Sequence, residues 1–359
     1  MTGSNGESSH ASGSGPDPVV REARPADADA VAAFARDTWG ERYDDYIPRV
    51  FPEWAASDDP DRGTFVATLQ PGAVAERDAI GDDGDREPGD TLVEGDGTGA
   101  AAAGEPEAVV GCIQGVLLSE WEAWGQGIRV DPAARGFGVG TALSEAALDW
   151  SRERGARVCR NMVFSWNIMG LGQSRAVGFE PATEFRFAEP EPGPEAADPG
   201  ATLADPDPNA AWAFWSDSDA RDHLRGLALD PDESWACSAL TRERLATAAA
   251  EDRLIAVADA DAFAGFAVRT RVTEREENGE TTEIATYGVA AWHDVDAAGA
   301  LYDAIAADAA AVDAADARVL IPETVDHVSD TGANRVPVAA EPDFVMAADL
   351  TGSDATDDL

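Results

Sequence analysis

The tightest constraint in this chain is a strand that ends in a glycine-spaced turn and runs straight into a helix. Residues 130–143 read VDPAARGFGVGTAL. Val130 closes the segment EAWGQGIRV (122–130), the turn Arg135-Gly136-Phe137-Gly138-Val139-Gly140 follows, and Val139, Leu143, Ala146 and Trp150 recur at helical spacing to about Arg154. The apolar run AVVGCIQGVLL (108–118) is joined to EAWGQGIRV so closely that a hairpin is expected. The fold must therefore order a hairpin, a glycine turn and a helix N-terminus. Such a turn bares backbone N–H groups at the positive end of a helix, which suits an anion. By itself it serves equally well as a plain structural turn.

Residue chemistry narrows the anions. All 26 basic residues are arginine, so a P-loop, which needs Gly-Lys-Ser/Thr, is excluded. The spacing G-x-G-x-G is not the dinucleotide fingerprint G-x-G-x-x-G. The next strand, RVCRNMVF, also lacks an acidic residue for a ribose hydroxyl. Against those arginines stand 69 acidic residues, a formal net charge of −43. Charge of that size repels itself unless salt screens it, so a salt-rich cytoplasm is expected. No basic stripe exists to meet nucleic acid. Cys112, Cys159 and Cys237 are too few and too scattered for a disulfide framework, and His10, His223, His293 and His327 do not join them at metal-ligand spacing, so no metal is expected. No apolar run reaches the roughly 20 residues of a membrane span, and no signal-peptide pattern opens the sequence, so a cytoplasmic location is expected.

Composition divides the chain. Residues 1–17 are Gly/Ser-rich and are expected to be disordered, 70–107 form an acidic Gly/Ala-rich insertion between two strands, and 189–210 are a Pro- and acid-rich linker. Before the hairpin come a strand after residue 17, a helix opening near Pro25 with Val31, Phe34 and Ala35 on one face, a shorter helical segment YIPRVFPEW interrupted by prolines, and a strand at 63–69. After the glycine helix come a strand at 156–164, a helix around 167–176 and a strand beyond Gly178-Phe179. The second half follows part of the same order: helix, strand, turn and strand over 241–272, a strand at 283–292, a helix with Leu301, Ile305 and Val312 facing inward, and strands at 317–323 and 342–350. An internal duplication is expected from this order.

Two motifs carry a family resemblance. Arg135-x-x-Gly138-x-Gly140 resembles the pyrophosphate-binding motif of the GNAT superfamily of acyl-CoA N-acyltransferases, and Val130-Asp131-Pro132 resembles that family's strand end. Further on, Asn167, Gly178 and Phe179 fall at the offsets of its second signature, Asn-x-x-Ala-x-x-x-Tyr-x-x-x-Gly-Phe, with Gly170 where a small residue is usual. The resemblance covers 18–188 and implies an α+β GNAT fold, a mixed and mostly antiparallel sheet flanked by helices. A second, degenerate copy would occupy 211–351, followed by an acidic tail at 352–359.

The resemblance implies acetyl-CoA as acyl donor and an unidentified primary amine as acceptor, the two meeting in a ternary complex. Arg135, Gly136, Phe137, Gly138, Val139, Gly140 and Thr141 would hold the pyrophosphate, the backbone of Ile128 and Val130 the pantetheine arm, and Asn167 would add a cofactor contact. Asn167 also reads as an ordinary helix N-cap, and Arg135 as a surface ion pair. Ser174 departs from the pattern, standing where many relatives carry a tyrosine that protonates the leaving thiolate. A serine hydroxyl is too weak an acid for that, so water, Tyr46 or Tyr43 would serve, or the domain would bind acyl-CoA without turning it over, as a regulatory protein. Glu122, in step with Trp124, Ile128 and Val130, is the candidate general base, or else one more solvated carboxylate. Trp121, Trp124 and Trp166 either line an acceptor pocket or pack the core. In the second half HDVDAAGALYDA has the lone Gly299 and no amide cradle. That copy is expected to be structural, giving a monomer with an internal pseudo-dimer or a homodimer.

Overall fold

The computed structural model describes residues 17–36, 38, 45–70, 107–193, 202–260, 262–277 and 280–352. Nearly all of the expected tails and acidic insertion, part of the expected linker, and Tyr43 lie outside these. Contacts divide the chain into two compact units, Met1–Val116 with Gly125–Trp150, and Leu117–Trp124 with Ser151–Leu359.

The first unit is built on β1 (Val19–Glu22), β2 (Arg62–Leu69), β3 (Ala108–Leu117) and most of β4 (Glu122–Val130), adjacent in that order. β1·β2 and β2·β3 are antiparallel. Helices α1 (Ala28–Ala35) and α2 (Ile47–Ala56) bury Val31, Ala35, Ile47 and Phe51 against Val66, Val109 and Cys112. The prolines do not interrupt α2. Pro48 sits in the first turn, where its missing N–H is no loss, and Pro52 lies inside a continuous helix. Helix α3 (Val139–Glu153) buries Val139, Leu143 and Trp150 as its spacing predicts, with Ala147 and Leu148 completing the stripe and Ala146 only half-buried. It approaches β3 so closely that a Cβ on Gly111 would stand 2.9 Å from side chains of both Val139 and Leu143. Glycine here is a packing requirement.

In the second unit the start of β4 is followed in the sheet by β5 (Val158–Phe164), β14 (Asp343–Asp349), β6 (Glu180–Ala188), β13 (Asp316–Pro322), β12 (Glu280–Trp292), β11 (Ala262–Glu277), β10 (Leu254–Asp259) and β7 (Thr202–Leu203). Only β4·β5 and β12·β13 are parallel. The C-terminal strand β14 pairs antiparallel with β5 on one side and β6 on the other, while β6 pairs antiparallel with β13. Each half of the sequence thus takes up the closing strand of the other. This is why the compact units do not divide at 189–210, and within that range β7 pairs with β10 while α5 (Pro208–Ser216) begins at Pro208.

Helices α4 (Ile168–Ala176), α7 (Arg242–Ala250) and α8 (Val295–Ala311) fall within the helical segments expected from sequence. Against β11–β13, α8 buries Leu301 and Ile305, while Val312 caps it and is partly buried. Beyond the expected elements lie α5, the short α6 (Asp219–His223), the hairpin β8 (Leu227–Leu229) with β9 (Cys237–Ala239), and α9 (Val325–Ala333). The two parallel pairings correspond. β4·β5 ends at Trp124↔Arg160, followed by Gly125, and β12·β13 ends at Tyr287↔Val319, followed by Gly288.

Candidate functional site

The glycine turn is assembled residue by residue. Asp131 N–H donates to the Val110 carbonyl (2.8 Å), and the Asp131 carboxylate accepts from Ala133 N–H (2.8 Å), closing a single 3-10 turn over Pro132–Ala134. Ala134 is buried, and the chain then emerges with Arg135 extended and exposed. Gly136 and Gly138 take φ of 82° and 76°, the left-handed region that costs other residues energy. A Cβ on Gly138 would meet nothing within 4 Å, so the glycine is needed for its backbone and leaves open space beside it. Helix α3 begins at the next residue.

Among the described residues, the N–H groups of Gly138, Val139, Gly140 and Thr141 donate to no protein acceptor. Four donors without a protein acceptor at the positive end of a helix of 15 residues have the geometry and sign to take an anion. Ile128 and Val130, both half-buried, lie on β4 beyond the last residue paired to β5.

Two residues that the sequence reading passed over organise the other side of this unit. The Arg129 guanidinium forms a two-point ion pair with Asp45, at 2.6 and 3.0 Å, and both side chains are buried. Asp45 also accepts from Ile47 N–H (2.9 Å), fixing the start of α2. Arg129 lies 5.5 Å from the Tyr46 ring centroid, and Trp54 meets that ring edge-on at 6.3 Å. Tyr46 is held in place with 40% of its surface exposed. An arginine inside an apolar strand was the available signal.

The remaining candidates belong to the second unit. Glu122 is 2% exposed, and its oxygens are engaged. Oε1 accepts from Arg160 (2.6 Å) and from Ala239 N–H (3.0 Å), and Oε2 accepts from the Ser119 hydroxyl (3.2 Å). This burial corrects the solvated carboxylate expected from sequence: Glu122 lies in a buried ion pair with Arg160. Ser174 is buried and accepts a hydrogen bond from Asn161 Nδ2 (3.0 Å), while Asn161 Oδ1 is buried with no partner. Asn167 caps α4, its side chain accepting from Gly170 N–H at 2.9 Å. Of the tryptophans, Trp124 is core, Trp121 is exposed with Arg160 5.9 Å from its ring, and Trp166 stacks on Phe164. Cys112, Cys159 and Cys237 are buried and form no disulfide, the Cys112 and Cys237 thiols pushed up to about 12 by burial. Among the described residues no group of His, Cys, Asp or Glu is placed to hold a metal ion.

The second half differs where the first has its cradle. Helix α8 is capped by Asp294, whose carboxylate accepts from Ala297 N–H (2.9 Å) and is held below the usual carboxylate range chiefly by that bond. A fixed carboxylate thus stands at this helix start. Gly299 serves packing, since a Cβ there would stand 2.5 Å from Asn334 Oδ1.

Residues 78–168 match the model of the acetyltransferase (GNAT) family. No curated protein matches the sequence. Among solved structures, a GCN5-related N-acetyltransferase from Sphaerobacter thermophilus aligns with TM-score 0.52 at 14% identity, over 94% of this chain and 98% of that one. A tandem GNAT protein from the clavulanic acid biosynthesis pathway aligns at 0.48 and 14%, over 94% and 100%. A GCN5-related N-acetyltransferase from Kribbella flavida aligns at 0.40 and 15%, over 92% and 70%. The chain has the GNAT fold, a mixed sheet flanked by helices, and the family match lies in the half that carries the glycine loop. No described helix is long and apolar enough to cross a membrane.

Proposed function

We propose that the chain is an acetyl-CoA-dependent N-acetyltransferase acting on a primary amine. Its acyltransferase domain would span 18–188 and a degenerate copy would span 211–351, with the acidic surface an adaptation to high salt. The observation that carries the reading is the row of four unpartnered N–H groups from Gly138 to Thr141 behind two left-handed glycines. These donors suit a pyrophosphate, with Arg135 supplying countercharge. Phe137 and the backbone of Ile128 and Val130 are assigned to the cofactor on the motif, as is Asn167. In the reaction the amine nitrogen forms a bond to the thioester carbonyl carbon, the C–S bond breaks, and the sulfur leaves with its electron pair. Holding donor and acceptor together supplies much of the advantage, and a backbone amide on β4 would stabilise the developing oxyanion.

The proton assignments follow from the surroundings of each group. Glu122 is spent on Arg160 and Ala239, so the acceptor is taken to lose its proton to solvent or to arrive neutral. Ser174 accepts from Asn161, which leaves its own O–H free to donate a hydrogen bond. A thiolate with a pKa near 8.5 leaves with water as the proton source, and Tyr46 is the alternative donor. Binding of acyl-CoA without turnover is the second reading, favoured by the serine at position 174. Calorimetric titration of acetyl-CoA at molar KCl tests the binding step. One saturable site per chain is expected, and no binding to folded protein overturns the proposal. An amine-acceptor screen then separates the enzyme from the binding protein.

A further inference from the structure

The C-terminal half contains a cavity of about 260 Å³ that nothing in the acetyl-transfer reading uses. Its floor is made where two strands lose register. Between Val268↔Val289 and Arg269↔Tyr287, β12 skips Gly288, and between Arg269↔Tyr287 and Arg271↔Thr286, β11 skips Thr270. These two unpaired residues face each other, and a Cβ on Gly288 would collide with the Thr270 hydroxyl, 2.2 Å away. Bulges of this kind re-aim side chains and commonly mark ligand sites. Here they turn the Thr270 hydroxyl into a cavity whose walls include buried Leu229, Leu240, Val268 and Val289.

The charge at the rim settles the ligand's sign. Arg244 and Arg253 line the cavity, but Arg244 is committed to Asp230 (2.8 Å) and Arg253 to Glu251 (2.5 Å). Asp232 and Glu243 also line it, and neither carboxylate has a hydrogen bond or ion pair among the described residues; Arg271 acts on Asp232, but more strongly on Asp230 and Glu233, so it does not offset both rim carboxylates. The uncommitted charge is therefore negative, above an apolar interior with hydroxyls at Thr247 and Thr270.

We propose that this cavity is a second ligand site, taking a small organic ammonium ion with an apolar body, its nitrogen at Asp232 and Glu243 and its body over the Thr270–Gly288 floor. The proposal stands on the cavity and does not require acetyl transfer by the N-terminal half. It gives the copy without an amide cradle a binding role of its own.

The test titrates phenethylammonium chloride into the full chain at molar KCl by calorimetry, with phenylacetate as the isosteric anion. Saturable binding of the ammonium at one site per chain, without binding of phenylacetate, is expected. Thr247→Trp, an exposed helix position at the cavity mouth, should weaken binding by at least about tenfold, as should Asp232→Asn with Glu243→Gln, with circular dichroism confirming each fold. Gly138→Asp with Gly140→Asp should leave the ammonium site unchanged. Absence of saturable binding to the folded wild type overturns the proposal. So does equal binding of phenylacetate, indifference to the Thr247 substitution, or loss of binding on changing the glycine loop.

Discussion

Ser174 and Asn161 form a pair whose energetics predict the outcome of breaking it. Removing the Ser174 hydroxyl leaves the half-buried Asn161 amide with neither its Nδ2 nor its buried Oδ1 paired to protein. Such a loss costs about 1–3 kcal/mol, whereas a leaving thiolate that water can protonate needs little from the serine. Ser174→Ala is therefore expected to lower the denaturation midpoint clearly while reducing kcat by less than about threefold, under roughly 0.7 kcal/mol of barrier. Parallel urea titrations and steady-state kinetics would show it, and a loss of rate without a loss of stability would reverse the assignment. Asp343, at the start of β14, gives a pH signature. Burial pushes its carboxyl up to about 7, with Arg318 pulling the other way. The unfolded chain releases this proton near 3.8 and the folded chain holds it to about 7, so its contribution to stability falls as pH rises between those values and is level above them. Asp343→Asn should accordingly stabilise the protein above pH 7, by up to about 4 kcal/mol, and have almost no effect near pH 4, as denaturant titrations at the two pH values would report. Glu122 shows where reading residues from sequence succeeds and stops. Its alternation with Trp124 was legible, but the step that placed it beside a buried tryptophan also buried it, and its partners Arg160 and Ala239 are 38 and 117 residues away.

At the scale of elements, two helix starts separate the halves. Helix α3 opens on left-handed glycines with its N–H groups bare, and α8 opens on the Asp294 carboxylate. An added carboxylate at the first start would place negative charge where phosphate is to sit, so Gly138→Asp with Gly140→Asp is expected to abolish acetyl-CoA binding. The left-handed φ at Gly138 adds a modest strain. Removing the cap by Asp294→Ala should cost about 1 kcal/mol of stability without creating a second acetyl-CoA site, because α8 also lacks the left-handed glycines. Calorimetry on the two variants checks both halves of this argument, and acetyl-CoA binding gained by Asp294→Ala would make the cap alone responsible for the lost site. Elements with apolar residues at helical spacing, α1, α3 and α8, are legible in the sequence. Short ones are not. The hairpin β8–β9 has three residues in each strand and α6 has five in all, too few for a period to register. The continuity of α2 is not legible in sequence, because Pro48 at a helix start and Pro52 inside the helix look the same as prolines that end one.

For the whole molecule, the decisive feature is the exchange of closing strands, which no local pattern announces because β14 pairs with strands more than 150 residues earlier. The repeat order suggested two domains joined by the linker at 189–210. In the structure of the second unit, β14 lies between β5 and β6, and β6 lies between β14 and β13, so β5 and β13 belong to one hydrogen-bonded array. The shared sheet pairs strand edges that two separate sheets would leave open. Ending the chain at Glu341 removes β14 and leaves the β5 and β6 edges unpaired together. Hydrogen exchange at molar KCl is then expected to show β5 and β13 losing protection in concert, although β13 keeps its own sheet neighbours β6 and β12. If the halves were instead independent, with the linker as the true boundary, β5 would exchange at the same rate in the truncated chain as in the full one. The two outcomes differ at Cys159 and Asn161, whose backbones pair with Ala348 and Met346 and whose protection in the full chain depends on a strand from the far end of the sequence.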